Sequence, residues 1–171
     1  MGKKFVLFVM AFAISTHSYA ATLSSQEISD RMQIEDTLTT LYMKTDEKDW
    51  QAVQGVFAPK VKFDMSSLTG AALTMLTPQE ITATWEKGLK EIKAIHHQVG
   101  NFQFKIQGDS ADVHCYGIAF HYKPNSTHRN TRTFVGSYDF HLIRGDAGWK
   151  IDSFRYNSQF VDGNRACPSL S

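Results

Sequence analysis

The sequence lacks several features that would commit it to a known class of protein. Two cysteines among 171 residues are too few for a disulfide scaffold. Basic residues are scattered and show no clear excess, which argues against a nucleic-acid partner. The sequence has no Gly-x-Ser-x-Gly elbow for a serine nucleophile and no glycine-rich phosphate loop. Internal repeats, low-complexity segments and linkers are also missing, so we expect one domain.

A long apolar run is found at the N-terminus, where it has the features of a secretory signal peptide. Lys3 and Lys4 precede the run over residues 5–14, and a small-residue end follows at residues 18–20. The run is too short to span a bilayer, so we expect a mature chain without a membrane span. Cleavage after Ala20 would give a periplasmic or secreted protein with 16 basic and 17 acidic residues.

The two cysteines have two readings in an oxidising compartment. Cys115 falls in an alternating apolar pattern, whereas Cys167 lies in the C-terminal tail, residues 166–171. A disulfide between them would tie the tail to a strand. A buried free thiol at Cys115 is an equally good interpretation, and the sequence does not decide between the two.

Capping signals and apolar spacing predict three helices. Ser24 and Glu27 have the spacing of a capping box at the start of a helix over residues 25–46. Asp49 is the expected N-cap of a second, short helix. Thr77-Pro78-Gln79-Glu80 has the start signal of a third helix, which buries Ile81, Trp85 and Leu89.

Strand patterns follow in the second half of the chain. Val61, Phe63 and Met65 alternate with polar residues, and from residue 95 onward four strand-like runs are separated by short turns. Short turns join antiparallel neighbours, so the chain is predicted to be α+β, with helices covering one face of a curved sheet. A bulge at Gly100-Asn101 would bring side chains of both parities to one face and bend the sheet.

Candidate chemical groups come from the first helix and from the sheet. Tyr42 and Asp46 are four residues apart and leave the helix on one side. His97 opens the first strand of the four, and His121 follows a row of small residues. An imidazole beside a carboxylate is suited to moving a proton near neutral pH. The simpler reading is that Asp46 ends its helix and that each histidine is a half-buried strand residue.

Two other interpretations use the same residues. Ser137 and Asp139 share a parity on the third of the four strands and could converge on the same hollow. Two histidines with a carboxylate could bind a divalent metal, but no tight ligand spacing such as His-x-x-x-His is present. We therefore expect no metal and no other cofactor.

The ordered set of motifs resembles the nuclear transport factor 2-like superfamily and, within it, the SnoaL-like branch that includes scytalone dehydratase. The resemblance covers residues 28–164. It is carried by these motifs: Thr45-Asp46-Glu47-Lys48-Asp49-Trp50, Phe63-Asp64, His96-His97-Gln98-Val99-Gly100-Asn101, Ala119-Phe120-His121 and Gly148-Trp149-Lys150-Ile151. It implies a SnoaL-like domain over residues 21–165 with a cone-shaped fold: a curved, mixed or antiparallel sheet and three helices that enclose a pocket.

The resemblance also implies roles for particular residues. His97, held by Asp46, would act as the acid and base, with His121 as a second catalytic group. Ser137 and Asp139 would contact the substrate. Apart from the resemblance, we expect two further substrate contacts, Tyr42 one turn before Asp46 and Trp85 on the third helix. The chain departs from the family pattern where Thr45 and Met65 replace two tyrosines and where the acid Asp139 replaces an asparagine.

Two functions are the main possibilities from the sequence, and partner binding through the open face of the sheet is a third. One is a lyase or isomerase, similar to a dehydratase, that acts on a cyclic or polyketide-like carbonyl compound without a cofactor. The other is a non-catalytic carrier of a small apolar or cyclic ligand, because the superfamily uses its fold for both purposes. Members of this superfamily often dimerise through the sheet, which implies a homodimer.

Overall fold

A computed structural model describes residues 23–165 and Cys167. The predicted signal peptide, residues 1–20, and all of the C-terminal tail except Cys167 lie outside the described residues. The elements of the described chain are α1 (Ser25–Glu47), α2 (Trp50–Val56), β1 (Phe57–Asp64), α3 (Ser66–Thr69), β2 (Thr74–Leu76), α4 (Pro78–Leu89), β3 (Ala94–Gln107), β4 (Ser110–Tyr122), β5 (Thr131–Gly145) and β6 (Gly148–Gly163).

The six strands form one curved, open sheet in the order β2-β1-β6-β5-β4-β3. Strands β3 to β6 form the predicted antiparallel meander. Strand β1 pairs parallel with β6, so the sheet is mixed. Two short elements after β1 were not predicted from the sequence, the one-turn helix α3 and the strand β2, which pairs with β1.

The three longer helices begin where the sequence placed them. Ser24 and Glu27 form a capping box at α1, and Thr77 and Glu80 form one at α4. Asp49 caps α2, which ends at Val56. Strand β1 begins at the next residue, Phe57. Apolar side chains from these helices are buried against the inner face of the sheet. The fully buried ones include Ile34, Leu38, Leu41, Val53 and Ile81, and Leu142 of β5 and Ile151 of β6 are fully buried on the sheet side.

The predicted bulge is present in β3. Asn101 and Phe102 stand opposite a single residue of β4, and Asn101 has a left-handed backbone with φ of 57°. The extra residue shifts the alternation, so Val99 and Phe104 both pack against the same core although their parities differ. The bulge therefore bends the strand around the helices.

The outer face of the sheet is not covered by helices of the described chain. Exposed apolar side chains lie there, among them Tyr116 and Ile118 of β4. Two histidine–aspartate pairs accompany them, His114 with Asp139 at 2.7 Å and His141 with Asp152 at 2.6 Å. A homodimer through this face stays a prediction.

Both cysteines are free and buried in the structure, so Cys115 is a buried free thiol and is not bonded to Cys167. Burial raises the pKa of the Cys115 thiol to about 12, so it stays protonated at neutral pH. No helix among residues 23–165 is both long enough and apolar enough to cross a membrane.

A buried ion pair fixes the start of α1 to the end of β5. The Arg144 guanidinium donates to the buried Asp30 carboxylate at 2.6 Å and lies 4.5 Å from the centre of the Trp149 ring. The Arg144 hydrogen bond is the main cause that lowers the pKa of Asp30.

Arg144→Leu is expected to lower the free energy of unfolding by about 3 kcal/mol, because it leaves a buried carboxylate without its cation. Urea unfolding followed by circular dichroism measures the change. Arg129→Leu, at an exposed loop position, is the control and should change stability by less than about 0.5 kcal/mol. Equal losses in the two variants would contradict the prediction.

Candidate active site

A pocket opens between α1, α3, α4 and the inner face of the sheet. It contains about 510 Å³ of space not filled by protein atoms, counting its opening to solvent. Only about 40 Å³ of this space can hold the centre of a water-sized sphere, which is below the usual range for small-molecule sites, so the pocket is narrow in this conformation. The lining is mostly apolar and aromatic, and it consists of Leu41, Tyr42, Thr45, Met65, Leu68, Trp85, His97, Ala119, His121, Phe134, Tyr138, Phe154 and Tyr156.

Asp46 and His97 meet at this pocket. His97 Nδ1 lies 2.6 Å from Asp46 Oδ1, and the backbone N–H of His97 donates to Asp46 Oδ2 at 2.9 Å. The side chains are 8% and 19% exposed for His97 and Asp46, respectively. Both carboxylate oxygens are thus engaged by one residue, which fixes the position of the imidazole ring.

The geometry of this pair depends on how α1 ends. Lys48 follows the helix with a left-handed backbone, φ of 59°, and its Nζ donates to the carbonyls of Leu89 and Ile92 at 2.8 and 2.7 Å. Those carbonyls lie at the end of α4, just before β3 begins. The lysine therefore holds the end of α1 close to the start of β3, where His97 lies.

His97 has one ring nitrogen available for a ligand. A carboxylate only accepts hydrogen bonds, so Nδ1 carries the proton that it donates to Asp46, and Nε2 of the neutral ring is an acceptor. Nε2 makes no hydrogen bond with any described residue, and the ring lines the pocket. The ring of Tyr42 lies beside it, with 5.2 Å between ring centroids.

His121 is enclosed more deeply than His97. Its side chain is 1% exposed, and neither ring nitrogen has a hydrogen-bond partner in the described part of the chain. Its ring lies 6.4 Å from that of His97 and 4.7 Å from that of Phe134, centre to centre. Burial, followed by the charges of His97 and Arg132, lowers its pKa to about 3, so the ring is neutral at physiological pH.

Ser137 and Asp139 do not line the pocket, so the structure corrects their predicted placement. Successive side chains of a strand point to opposite faces, and β5 turns Phe134 and Tyr138 inward. Asp139 instead accepts from His114 and from Asn157, each at 2.7 Å, on the outer face. The aromatic side chains of β5 face inward because they pack with the apolar core.

The other predicted contact residues lie at the pocket. Tyr42 and Trp85 both line it, and Trp85 packs against Phe63 and Phe154. Thr45, which stands where the family pattern has a tyrosine, lines the pocket but donates its hydroxyl proton to the Leu41 carbonyl at 2.7 Å, so that proton is not available to a ligand.

Sequence reasoning missed two tyrosines of the lining, Tyr138 and Tyr156. The alternation of Tyr138 with Phe140 and Leu142 is visible in the sequence, but alternation alone does not distinguish a pocket lining from core packing. Gly117 and Gly136 are the sequence feature that could have predicted these tyrosines, because small residues on neighbouring strands leave room for aromatic rings. Within residues 23–165 and Cys167, no three His, Cys, Asp or Glu side chains converge to hold a metal ion.

A family model described as a SnoaL-like domain matches residues 26–155. The chain belongs to the SnoaL-like family. Proteins of Mycobacterium tuberculosis and Mycobacterium bovis, both uncharacterized, are 28% identical to this SnoaL-like chain over 130 residues, which are 75% of it and 85% of each relative.

Solved structures share the fold of this SnoaL-like protein. A Kribbella flavida protein has a TM-score of 0.76 at 21% identity, covering 79% of this chain and 94% of its own. A candidate scytalone dehydratase of Novosphingobium aromaticivorans has a TM-score of 0.73 at 12% identity, covering 84% and 93%. A candidate dehydratase of the NTF2-like family from Streptomyces avermitilis has a TM-score of 0.66 at 14% identity, covering 78% and 99%. The fold is therefore the predicted nuclear transport factor 2-like cone.

Proposed function

We propose that this SnoaL-like protein is a lyase or isomerase, similar to a dehydratase, that acts on a cyclic carbonyl compound by acid/base chemistry. The observation that carries the proposal is the Asp46–His97 pair at the wall of a largely apolar pocket. Two of the structural neighbours bear names of dehydratases, which agrees with this reaction class.

The proposed reaction begins at Nε2 of His97. This nitrogen accepts a proton from the carbon next to the substrate carbonyl, and Asp46 stabilises the imidazolium that forms. The electrons of the broken C–H bond form a carbon–carbon double bond, and those of the carbonyl π bond move to its oxygen. When the enolate collapses, the electrons of the bond to a β-hydroxyl leave with that oxygen, which takes the proton from His97 and departs as water.

An isomerase would use the same first step. In that case the substrate is a β,γ-unsaturated ketone, so that a conjugated dienolate forms. The proton then returns from His97 to its γ-carbon, the double bond moves into conjugation with the carbonyl, and no bond to oxygen is broken. Both reactions leave the oxidation state of the substrate unchanged and need no cofactor, which agrees with a protein predicted to work outside the cytoplasm after loss of residues 1–20.

We propose that the side chains of His121 and Trp85 contact the substrate. A neutral imidazole with two unpaired nitrogens can accept from a substrate hydroxyl and donate to an oxygen, and burial keeps His121 in that form. Trp85 contributes an aromatic wall, which favours flat, ring-shaped compounds.

A substrate screen tests the proposal. The native chain is incubated in D2O with cyclic β-hydroxy ketones and with enolisable cyclic ketones. Ultraviolet absorbance reports the conjugated product of dehydration, and NMR reports deuterium entering at the α-carbon. His97→Gln should lower the rate by about 100-fold or more. His114→Gln is the control, because His114 is also paired with an aspartate, Asp139, but lies on the outer face of the sheet. The rate of this variant should equal that of the native chain.

Equal rates for the native chain and His97→Gln would overturn the proposal. Binding without turnover, seen as NMR shifts of pocket residues across the whole panel, would instead favour a carrier of small apolar ligands.

A further inference from the structure

We propose that Tyr42, Tyr138 and Tyr156 form a hydroxyl cluster that binds one electron-rich oxygen of the ligand, namely a carbonyl, enolate or phenolate oxygen. The choice of a carbonyl compound rests on the proposed function, whereas the cluster itself rests on geometry. It would supply the polarising hydroxyls that Thr45 and Met65 cannot provide at the two positions where the family pattern has tyrosines.

The three rings lie together in the wall of the pocket. The ring of Tyr138 is 5.2 Å from that of Tyr42 and 4.9 Å from that of Tyr156, centre to centre. All three side chains line the pocket, and each is at most 6% exposed. The cluster therefore places three phenols along one side of an apolar space.

Two of these hydroxyls make no full hydrogen bond within the described part of the chain, although Tyr138 lies near that of Tyr42 and Ser158 near that of Tyr156. The hydroxyl oxygens of Tyr42 and Tyr156 are buried, and neither has a well-oriented hydrogen-bond partner in the described part of the chain. The Tyr42 hydroxyl lies close enough to that of Tyr138 for each phenol to affect the pKa of the other. A buried hydroxyl without a partner destabilises the fold, so these groups are suited to meeting an oxygen that arrives with a ligand.

Burial also fixes the hydroxyls as donors. It is the main cause that raises the pKa of Tyr42, Tyr138 and Tyr156 above the ordinary value of a tyrosine. All three therefore keep their protons at neutral pH. Preorganised O–H donors in a water-poor site stabilise negative charge that develops on an oxygen.

The sheet is built to receive two of these rings. A Cβ atom at Gly117 would lie 2.3 Å from Cε2 of Tyr138, and one at Gly136 would lie 2.7 Å from Cε2 of Tyr156. The two glycines pair directly across β4 and β5. A Cβ at Gly136 would also lie 2.3 Å from the backbone carbonyl oxygen of Asn157, so this glycine is required by the sheet as well as by the Tyr156 ring. Glycine at the two positions thus leaves space for the Tyr138 and Tyr156 rings.

The cluster and His97 lie on adjoining parts of the pocket. Tyr42 connects them, because its ring contacts both that of Tyr138 and that of His97. A ring compound whose oxygen lies among the hydroxyls would present the neighbouring carbon toward His97. As His97 takes the proton from that carbon, the carbonyl oxygen gains charge and its hydrogen bonds from the tyrosines strengthen. The inferred substrate class is therefore a cyclic ketone that forms an enolate.

Nitrophenols of graded acidity test the inference without any turnover. They are flat, carry one ionisable oxygen, and change their visible absorbance when they ionise. The native chain is expected to bind the phenolate form, so the bound phenol should ionise at a lower pH than the free one. Tyr42→Phe and Tyr156→Phe should each weaken binding by roughly tenfold or more, because each loses a hydrogen bond to a charged oxygen.

Tyr116→Phe is the matched control, because this tyrosine is exposed on the outer face of the sheet, and its affinity should equal that of the native chain. Near-ultraviolet circular dichroism checks that each variant keeps its fold. Failure of the native chain to bind any nitrophenol, or equal affinities for the native chain, Tyr42→Phe and Tyr156→Phe, would overturn the inference. Tyrosine-dependent phenolate binding combined with no turnover in the ketone panel would support the cluster and reject the proposed reaction.

Discussion

Asp46→Asn is expected to lower the rate of proton transfer by about 10³- to 10⁴-fold while leaving the fold intact. The backbone N–H of His97 can only donate, so the side-chain oxygen of the new asparagine has to accept it. The NH2 group then faces Nδ1 of His97 and donates to it. The ring proton is displaced to Nε2, and the nitrogen that faces the ligand can no longer act as a base.

Long-range proton–nitrogen NMR correlations measure this change directly. The native chain should show His97 protonated at Nδ1, and the variant should show it protonated at Nε2. Asp152→Asn is the control, because it alters a histidine–aspartate pair of the same 2.6 Å length that lies away from the pocket. A native rate in Asp46→Asn, or an unchanged His97 tautomer, would remove the pair from the mechanism.

The second large effect concerns acid stability and arises from His121. Its folded-state pKa is about 3, against an ordinary histidine value of 6.5 in the unfolded chain. Between these values the unfolded chain binds a proton that the folded chain does not. Stability from this group is therefore fully present above about pH 6.5 and is lost as the pH falls toward 3, at about 1.4 kcal/mol per pH unit.

His121→Leu removes this titration, so its free energy of unfolding should depend less on pH across the same window. Urea unfolding at intervals from pH 7.5 down to pH 4 measures both chains. Carboxylates with lowered pKa values, such as Asp30 and Asp64, contribute equally to the native chain and the variant, so the difference between the two isolates the histidine. Parallel pH curves would show that His121 is protonated as easily in the folded state as in the unfolded one.

The sequence predicted the local features of the fold well because their signals are local. A capping box needs two residues three apart, and Ser24 with Glu27 supply them. The bulge at Gly100-Asn101 was also visible, since the apolar parity changes there. Helix α3 and strand β2 were not predicted, because they are short and β2 exists only through its pairing with β1.

The site was harder to predict, because it depends on which parity of each strand faces inward. For β5 the polar parity, with Ser137 and Asp139, was assigned to the pocket. In the structure the aromatic parity faces inward, and the polar side chains form their own hydrogen bonds on the outer face. The spacing of Tyr42 and Asp46 did place both correctly on the pocket side of α1, because a helix fixes that relationship by itself.

The contact between the end of α1 and β3 has a consequence for the newly made chain. Asp46 and His97 are 51 positions apart, and Lys48 reaches carbonyls that come 41 and 44 positions later. None of these bonds can form until the chain has emerged past residue 97 and β3 has begun to assemble. Under the proposed function, a nascent or partly denatured chain in which α1 has not docked on β3 would lack the reactive pair, so the appearance of activity would report this docking.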